Sequence, residues 1–339
     1  LYNWNERIRI LPGAGLFEGA INDADLDALF LDARPHIEAV ARDLGQPTEF
    51  EVVTFLGLWH FARQSVDAAV IEVGLGGKWD ATNVTEPLVS VVTHVALDHM
   101  DRLGNTLEEI AADKVCIARA GRPFITAEWK PEVLEVFRSH RKLTNDDITI
   151  YREQKIGEDT NFRLAYLTVQ TFCQQAKWKN NLPKRVPKWN EYGWKVPGRR
   201  EFLEPNLIID GANNPEGAEF LRDFVELQLM SRKYAHTTID RENLILVLGI
   251  LADKDWQQMT QILAPLAKKV IVTQSNSPRA ATASQIGEIA RRFCLDVEEI
   301  VPVAAAVERA KLLASPDDTI LVTGSFTTIA EVPRPDGEL

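Results

Sequence analysis

The chain has 339 residues, 45% apolar and 26% charged, which allows two packed domains with a soluble surface. Its net charge of −11 disfavours a general nucleic-acid binder, and no apolar run reaches the roughly 18 residues of a membrane span. Three scattered cysteines, Cys116, Cys173 and Cys294, form no Cys-x-x-Cys pair, which argues against structural zinc and disulfides and suits a reducing cytoplasm.

In chain order, the first residue is Leu1 rather than Met, so the chain reads as beginning inside a fold. Asn22-Asp23-Ala24-Asp25 predicts the start of a helix whose apolar positions include Leu26, Leu29, Phe30 and Ile37. Thr48 and Glu51 have the spacing of a capping box before a helix over 52–63. Ala68-Ala69-Val70-Ile71 is apolar without alternation and predicts a strand buried on both faces, ending in Glu72. A glycine-rich turn, Gly74-Leu75-Gly76-Gly77, follows, then Trp79, Asp80, Thr82 and Asn83. A second apolar run, 88–95, predicts a strand that leads to Asp98-His99, and a helix is expected from Thr106 through Lys114. In open parallel sheets ligands sit beyond the carboxyl ends of strands, so Glu72 and His99 are candidate ligands of Mg²⁺, a cation that also takes water and phosphate oxygens. A solvated glutamate and a structural histidine are the plainer reading of the same two residues. Residues 123–150 read as strand, helix and strand.

Lys177 to Arg200 holds eight Lys or Arg and one acid, Glu191, with Trp178, Trp189 and Trp194 between them. Basic residues with aromatics can bind nucleic acid. Pro183, Pro187 and Pro197 favour a linker instead, whose charge attracts anions such as ATP or a polyglutamate tail. Strands are then expected at 207–209 (ending at Asp210), 244–248, 270–272, 300–301 and 320–322, with helices at 283–292 and 304–314. Alternating strands and helices imply a parallel, right-handed α/β sheet with Asp210, Asp253 and Ser325 past strand ends.

Glu72-Val-Gly-Leu-Gly-Gly-Lys-Trp-Asp80-Ala-Thr-Asn-Val84 resembles the signature of the folylpolyglutamate synthase/dihydrofolate synthase family within the Mur ligase superfamily. So do Leu97-Asp98-His99, Leu103 to Ala111, Asp113-Lys114, Pro197-Gly198-Arg199, Asp210-Gly211-Ala212 with Asn214-Pro215, and Thr323-Gly324-Ser325-Phe326. The blocks stand in the family's order across most of the chain. The resemblance implies a two-domain α/β fold: a Mur-ligase-like central parallel-sheet domain over 1–196, binding nucleotide and folate, and a Rossmann-like glutamate-ligase domain over 197–339. It implies an ATP-dependent, ADP-forming ligase that adds L-glutamate to folate, and also to dihydropteroate, through an acyl phosphate. ATP, Mg²⁺, the folate and glutamate would be its small-molecule partners, with no nucleic acid or membrane involved, and the protein would act as a cytoplasmic monomer.

Residue by residue, the resemblance places Thr48, Glu49, Phe50, Glu51, Trp79 and Asp80 around the pterin. It places Glu72 and His99 on Mg²⁺, with Lys114 as a carbamylated lysine facing a second Mg²⁺. Arg199 would steady phosphate charge, and Asp210 and Asn213 would bind ATP. Asn213 stands where the family has histidine, and Arg163 where it has an adenine-contacting asparagine. Asn5 to Ile10 resembles a family segment that follows a phosphate-binding loop. No such loop is found within these residues, since Gly77-Lys78 is followed by Trp79 rather than Ser or Thr. The chain as it stands is therefore expected to bind ATP weakly. Two alternatives stay open: a catalytically impaired remnant or fragment that keeps the fold, and another Mur-type ligase. A dinucleotide oxidoreductase is disfavoured because no Gly-x-Gly-x-x-Gly opens a helix.

Overall fold

The computed structural model describes residues 4–11, 19–151, 158–179, 196–230 and 243–334. The chain divides into two compact units, 3–194 and 195–339. The first unit opens with helices α1 (Asp23–Leu44) and α2 (Glu49–Arg63), both capped as their sequences predict. Asn22 accepts from the Asp25 N–H, and Thr48 and Glu51 form a reciprocal capping box. The two helices bury Leu29, Ala33 and Leu56 with Ile8 and Ile21. Phe30, expected on that core face, is 45% exposed. It neighbours Leu29 in sequence, and adjacent residues on a helix point about 100° apart.

Three short parallel strands follow in the order β1 (Ser90–Val92), β2 (Phe124–Thr126) and β3 (Ile148–Ile150). Between them run α3 (Met100–Leu103), α4 (Leu107–Lys114) and α5 (Pro131–Ser139), and α6 (Glu158–Gln175) comes after β3. Ile110, Ala111, Val133 and Phe137 from α4 and α5 pack with Phe124. Ile125 on the alternate position of β2 packs with Leu164 of α6. Helices therefore cover both faces of the sheet, as parallel strands require.

One predicted strand is not formed. Ala68–Ile71 takes no regular secondary structure and pairs with no strand, and Val70 is 98% exposed. Among the described residues no neighbouring strand offers it a ladder, and an apolar run without that partner neither pairs nor is covered. The run 88–95 forms a strand only at Ser90–Val92. Gly157 and most of the basic segment, residues 180–195, lie outside the described residues.

The second unit is a six-stranded sheet of β4 (Glu201–Glu204), β5 (Leu207–Ile209), β6 (Leu244–Leu248), β7 (Lys269–Val272), β8 (Val297–Glu299) and β9 (Thr319–Thr323). Its order is β4-β5-β9-β6-β7-β8, parallel except for the β4 edge. The strand expected at 300–301 lies three residues earlier, at β8. Helices α7 (Pro215–Met230), α8 (Trp256–Leu263) and α9 (Ala283–Ala290) cover one face, where Leu244, Leu246 and Leu248 point. Helices α10 (Val303–Leu313) and α11 (Phe326–Ala330) cover the other with Ile245 and Val247. Because β9 lies between β5 and β6, the residues after all three strands share one edge: Asp210, Gly249 and Gly324-Ser325.

At the far side of this sheet, Glu298 accepts from Arg309 of α10 at 2.9 Å and pairs with Lys269 at 2.6 Å. Arg309 first and Lys269 second draw its pKa down from 4.5 to about 2. A depressed carboxylate stabilises the fold fully above its unfolded pKa, and that stability is lost as pH falls from about 4.5 toward 2. Screening at this partly exposed site reduces the contribution to about 1–2 kcal/mol. We expect Glu298→Gln to flatten the acid-side decline in melting temperature between those values. Parallel curves for variant and wild type would contradict the assignment.

Candidate functional site

The C-terminal turn of α4, which ends in Asp113 and Lys114, seats the glycine-rich turn. Gly76 has φ +70, and a Cβ there would stand 2.3 Å from Asp113 Oδ1. At Gly77 a Cβ would lie 2.8 Å from the Lys114 carbonyl oxygen, so only glycine permits this contact. The Lys78 N–H donates to Asp113 Oδ1 at 3.3 Å. Asp80 grips the turn from within: Oδ2 accepts from Gly74 N–H at 3.0 Å and Leu75 N–H at 2.9 Å. Its Oδ1 accepts from both the N–H and the hydroxyl of Thr82. Arg119 then ties the Asn83 and Thr85 carbonyls to those of Cys116, Ile117 and Ala118, just beyond α4.

The predicted folate residues meet this turn unequally. Phe50 reaches it, for a Cβ on Gly74 would lie 2.4 Å from the Phe50 ring. Thr48 and Glu51 are engaged in their capping box, and the Thr48 hydrogen bonds hold the Glu51 carboxyl below its ordinary range. Glu49 is exposed on the first turn of α2. Trp79 is 85% exposed, with the Lys78 ammonium 5.3 Å from its ring centroid, so a ring face remains open to a flat heterocycle. Asp80, expected beside the pterin, has both oxygens occupied by the turn itself.

Glu72 is exposed two residues before the turn. His99 takes a left-handed conformation, φ 52, at the N-cap of α3, where its N–H donates to Asp98 Oδ1 at 2.8 Å. Leu103, at the end of the same helix, packs on Gly76. Lys114 is largely buried. Desolvation draws its amine below the ordinary lysine range, opposed by the charges of Asp113 and Asp98. Among the described residues no group of three or more His, Cys, Asp and Glu side chains could hold a metal. A carboxylate, an imidazole and a carbamate oxygen fit Mg²⁺ only with water and phosphate completing its shell.

In the second unit, Asp210 forms a parallel clamp: its oxygens accept from Arg200 N–H at 3.0 Å and Ala212 N–H at 2.8 Å. Burial nevertheless raises its pKa, against those bonds and the charges of Arg199 and Arg200. A buried carboxylate still short of donors suits a ligand hydroxyl. The Arg199 guanidinium lies 4.6 Å from the Phe326 ring centroid, and Gly211 is pressed against the same ring. Asn213 is half-buried between β5 and α7. Ser325 caps α11 through the Thr328 N–H. Asp253 pairs with Arg279, which holds its carboxyl below the usual range. Arg163 is half-buried in α6.

Sequence reasoning passed over Arg119 and Glu128. Arg119 carried no signal beyond its charge. Glu128 ends an apolar run just as Glu72 does, and the same rule could have found it.

The profile of the family described as "Mur ligase, glutamate ligase domain" matches residues 198–326. A dihydrofolate synthase/folylpolyglutamate synthase of Bacillus subtilis is 30% identical over 98% of this chain and 81% of its own. A probable bifunctional folylpolyglutamate synthase/dihydropteroate synthase of Haloferax volcanii is 31% identical over 90% of this chain, which spans 39% of that longer protein. Among solved structures, a Mycobacterium tuberculosis folylpolyglutamate synthase complexed with ADP superposes with a TM-score of 0.76 at 26% identity, covering 92% of this chain and 78% of that one.

Asp80→Ala would remove four hydrogen bonds to a charged acceptor. Net contributions of about 0.5–1.5 kcal/mol each, reduced by partial exposure, predict a loss of about 2–3 kcal/mol from the first unit. Urea denaturation followed in that unit checks this, and a loss under about 0.5 kcal/mol would contradict the clamp.

Proposed function

We propose that this chain, which belongs to the dihydrofolate synthase/folylpolyglutamate synthase family, works through two groups of residues: the glycine-turn corner of the first unit and the Asp210 edge of the second. It is an ATP-dependent, ADP-forming ligase that joins L-glutamate to a folate. The observation that carries the residue assignment is the seating of Gly76 and Gly77 on α4. That contact gathers Phe50, Trp79, the His99 helix and Lys114 around one turn.

The reaction needs charge neutralisation and positioning of two reactants in turn. A substrate carboxylate oxygen attacks the γ-phosphorus of ATP, the bond to the bridging oxygen breaks, and ADP leaves. The glutamate amine then attacks the acyl carbon, the bond to phosphate breaks, and the amine releases a proton. Bound Mg²⁺ supplies neutralisation of phosphate charge. Glu72 and His99 would hold it, with carbamylated Lys114 facing a second ion. Trp79 would stack on the pteridine, with Phe50 beneath the turn and Asp80 acting by shaping it. The Thr48–Glu51 cap would present the start of α2 to the same ring, whether the substrate is a reduced folate or dihydropteroate. Arg199 would steady the transferred phosphate through its fork of donors, and Asp210 would accept from a nucleotide hydroxyl beside Asn213.

The reading takes a monomer as the acting species. The cysteines Cys116, Cys173 and Cys294 are all free, which supports a cytoplasmic setting. No helix of the described residues is long and apolar enough to cross a membrane.

An assay of ADP release tests this reading. Whatever the absolute rate, release should require both a folate and glutamate, and Lys114→Ala should lower it by at least about 100-fold, the scale of one lost electrostatic contact in the transition state. ADP release that ignores the folate, or survives Lys114→Ala unchanged, would contradict it.

A further inference from the structure

The ladder between β1 and β2 ends with the Ala127 N–H donating to the Thr93 carbonyl at 3.0 Å. Beyond that point the chain from β1 must leave the sheet and reach Asp98 and His99. Two side chains at the end of β2 guide it. Glu128 is wholly buried, and its Oε2 accepts from the Val95 N–H at 2.7 Å. Its Oε1 accepts from the N–H groups of Trp129 at 2.9 Å and Lys130 at 3.0 Å. The Lys130 ammonium donates to the Val95 carbonyl at 2.7 Å and lies 3.7 Å from Glu128 Oε1. Lys130 also lies over the Trp129 ring, 4.2 Å from its centroid.

Both backbone groups of Val95 are thus held by side chains of the neighbouring strand end, where a strand partner would have offered main chain. A buried carboxylate is costly unless fully bonded, so its four polar contacts make this a rigid point. His99 begins α3 four residues later, and Leu103 of that helix packs on Gly76.

We propose that Glu128, with Lys130, is a positioning residue for the metal-and-phosphate corner: it sets the path of the 93–99 segment and so the placement of His99. The proposal rests on the reading of Glu72 and His99 as cation ligands. Neither Glu128 nor Lys130 touches the reacting atoms. Glu128→Gln keeps the shape but replaces an acceptor oxygen by a donor amide, which faces a backbone N–H in one rotamer or the other. Lys130→Met keeps the stem and removes the donor to Val95.

The test is Mn²⁺ binding to the full chain in the presence of ADP, read by electron paramagnetic resonance, with amide hydrogen exchange over residues 95–99 as the second readout. Glu128→Gln and Lys130→Met should each weaken Mn²⁺ at least about tenfold and speed exchange over that segment. His99→Ala should weaken Mn²⁺ while leaving exchange at Val95 unchanged. If His99→Ala weakens Mn²⁺ but both clamp variants bind it like wild type, the positioning role is overturned and the ligand reading stands. If wild type and His99→Ala bind Mn²⁺ alike, the ligand reading fails and the proposal fails with it.

Discussion

The backbone of Gly76 and Gly77 lies against the carboxylate of Asp113 and the carbonyl of Lys114 with no room for a side-chain carbon between them. This close approach fixes how the segment carrying Glu72, Trp79 and Asp80 meets the helix carrying Lys114. It also fixes where Phe50 and Leu103 can pack, because both rest on the same turn. Asp80 stabilises the conformation from inside, and Arg119 binds its far end to the chain beyond α4. The proposed site is thus a consequence of backbone packing, and its side chains are placed by it.

The second unit reaches a similar end by other means. There Asp210 accepts from the backbone on both sides of the β4–β5 hairpin, while Phe326 fills the space beside Gly211 and under Arg199. In both units an aspartate close in sequence to a glycine organises main chain. The two differ in burial. Asp80 has ample donors, whereas Asp210 is raised by desolvation and can still gain from a ligand donor. That difference supports the proposal that Asp80 acts through shape and Asp210 by direct contact.

Much of this was legible in the sequence. Thr48–Glu51 announced its helix because a capping box is local chemistry, and it forms; the helix expected from Thr106 opens with a second such box, Thr106–Glu109. The runs 207–209, 244–248 and 320–322 read as buried strands because each is apolar without alternation, and they form β5, β6 and β9, side by side with helices over both faces. Ala68–Ile71 has the same composition yet forms no strand, since pairing depends on a neighbour that periodicity cannot see. The antiparallel edge strand β4 was missed because Glu201-Phe202-Leu203-Glu204 is short and partly exposed. At the site, the glycine spacing showed that a turn was needed, but not that α4 would be its seat. The Asp80-x-Thr82 pattern also carried a signal for a local turn, which the structure forms. Glu128 was findable as an acid ending an apolar run, but its partner Val95, like the carbonyls that Arg119 binds at Asn83 and Thr85, is brought close only by folding.

Folate binding to Gly76→Ala, titrated by calorimetry at a temperature where the variant retains its circular dichroism spectrum, tests most directly the claim that this backbone contact creates the site. The account predicts at least about tenfold weaker binding than wild type, about 1.4 kcal/mol, since any side chain at φ +70 must lift the turn from α4. Unchanged affinity in a folded variant would show that the glycine turn and the end of α4 are not one site.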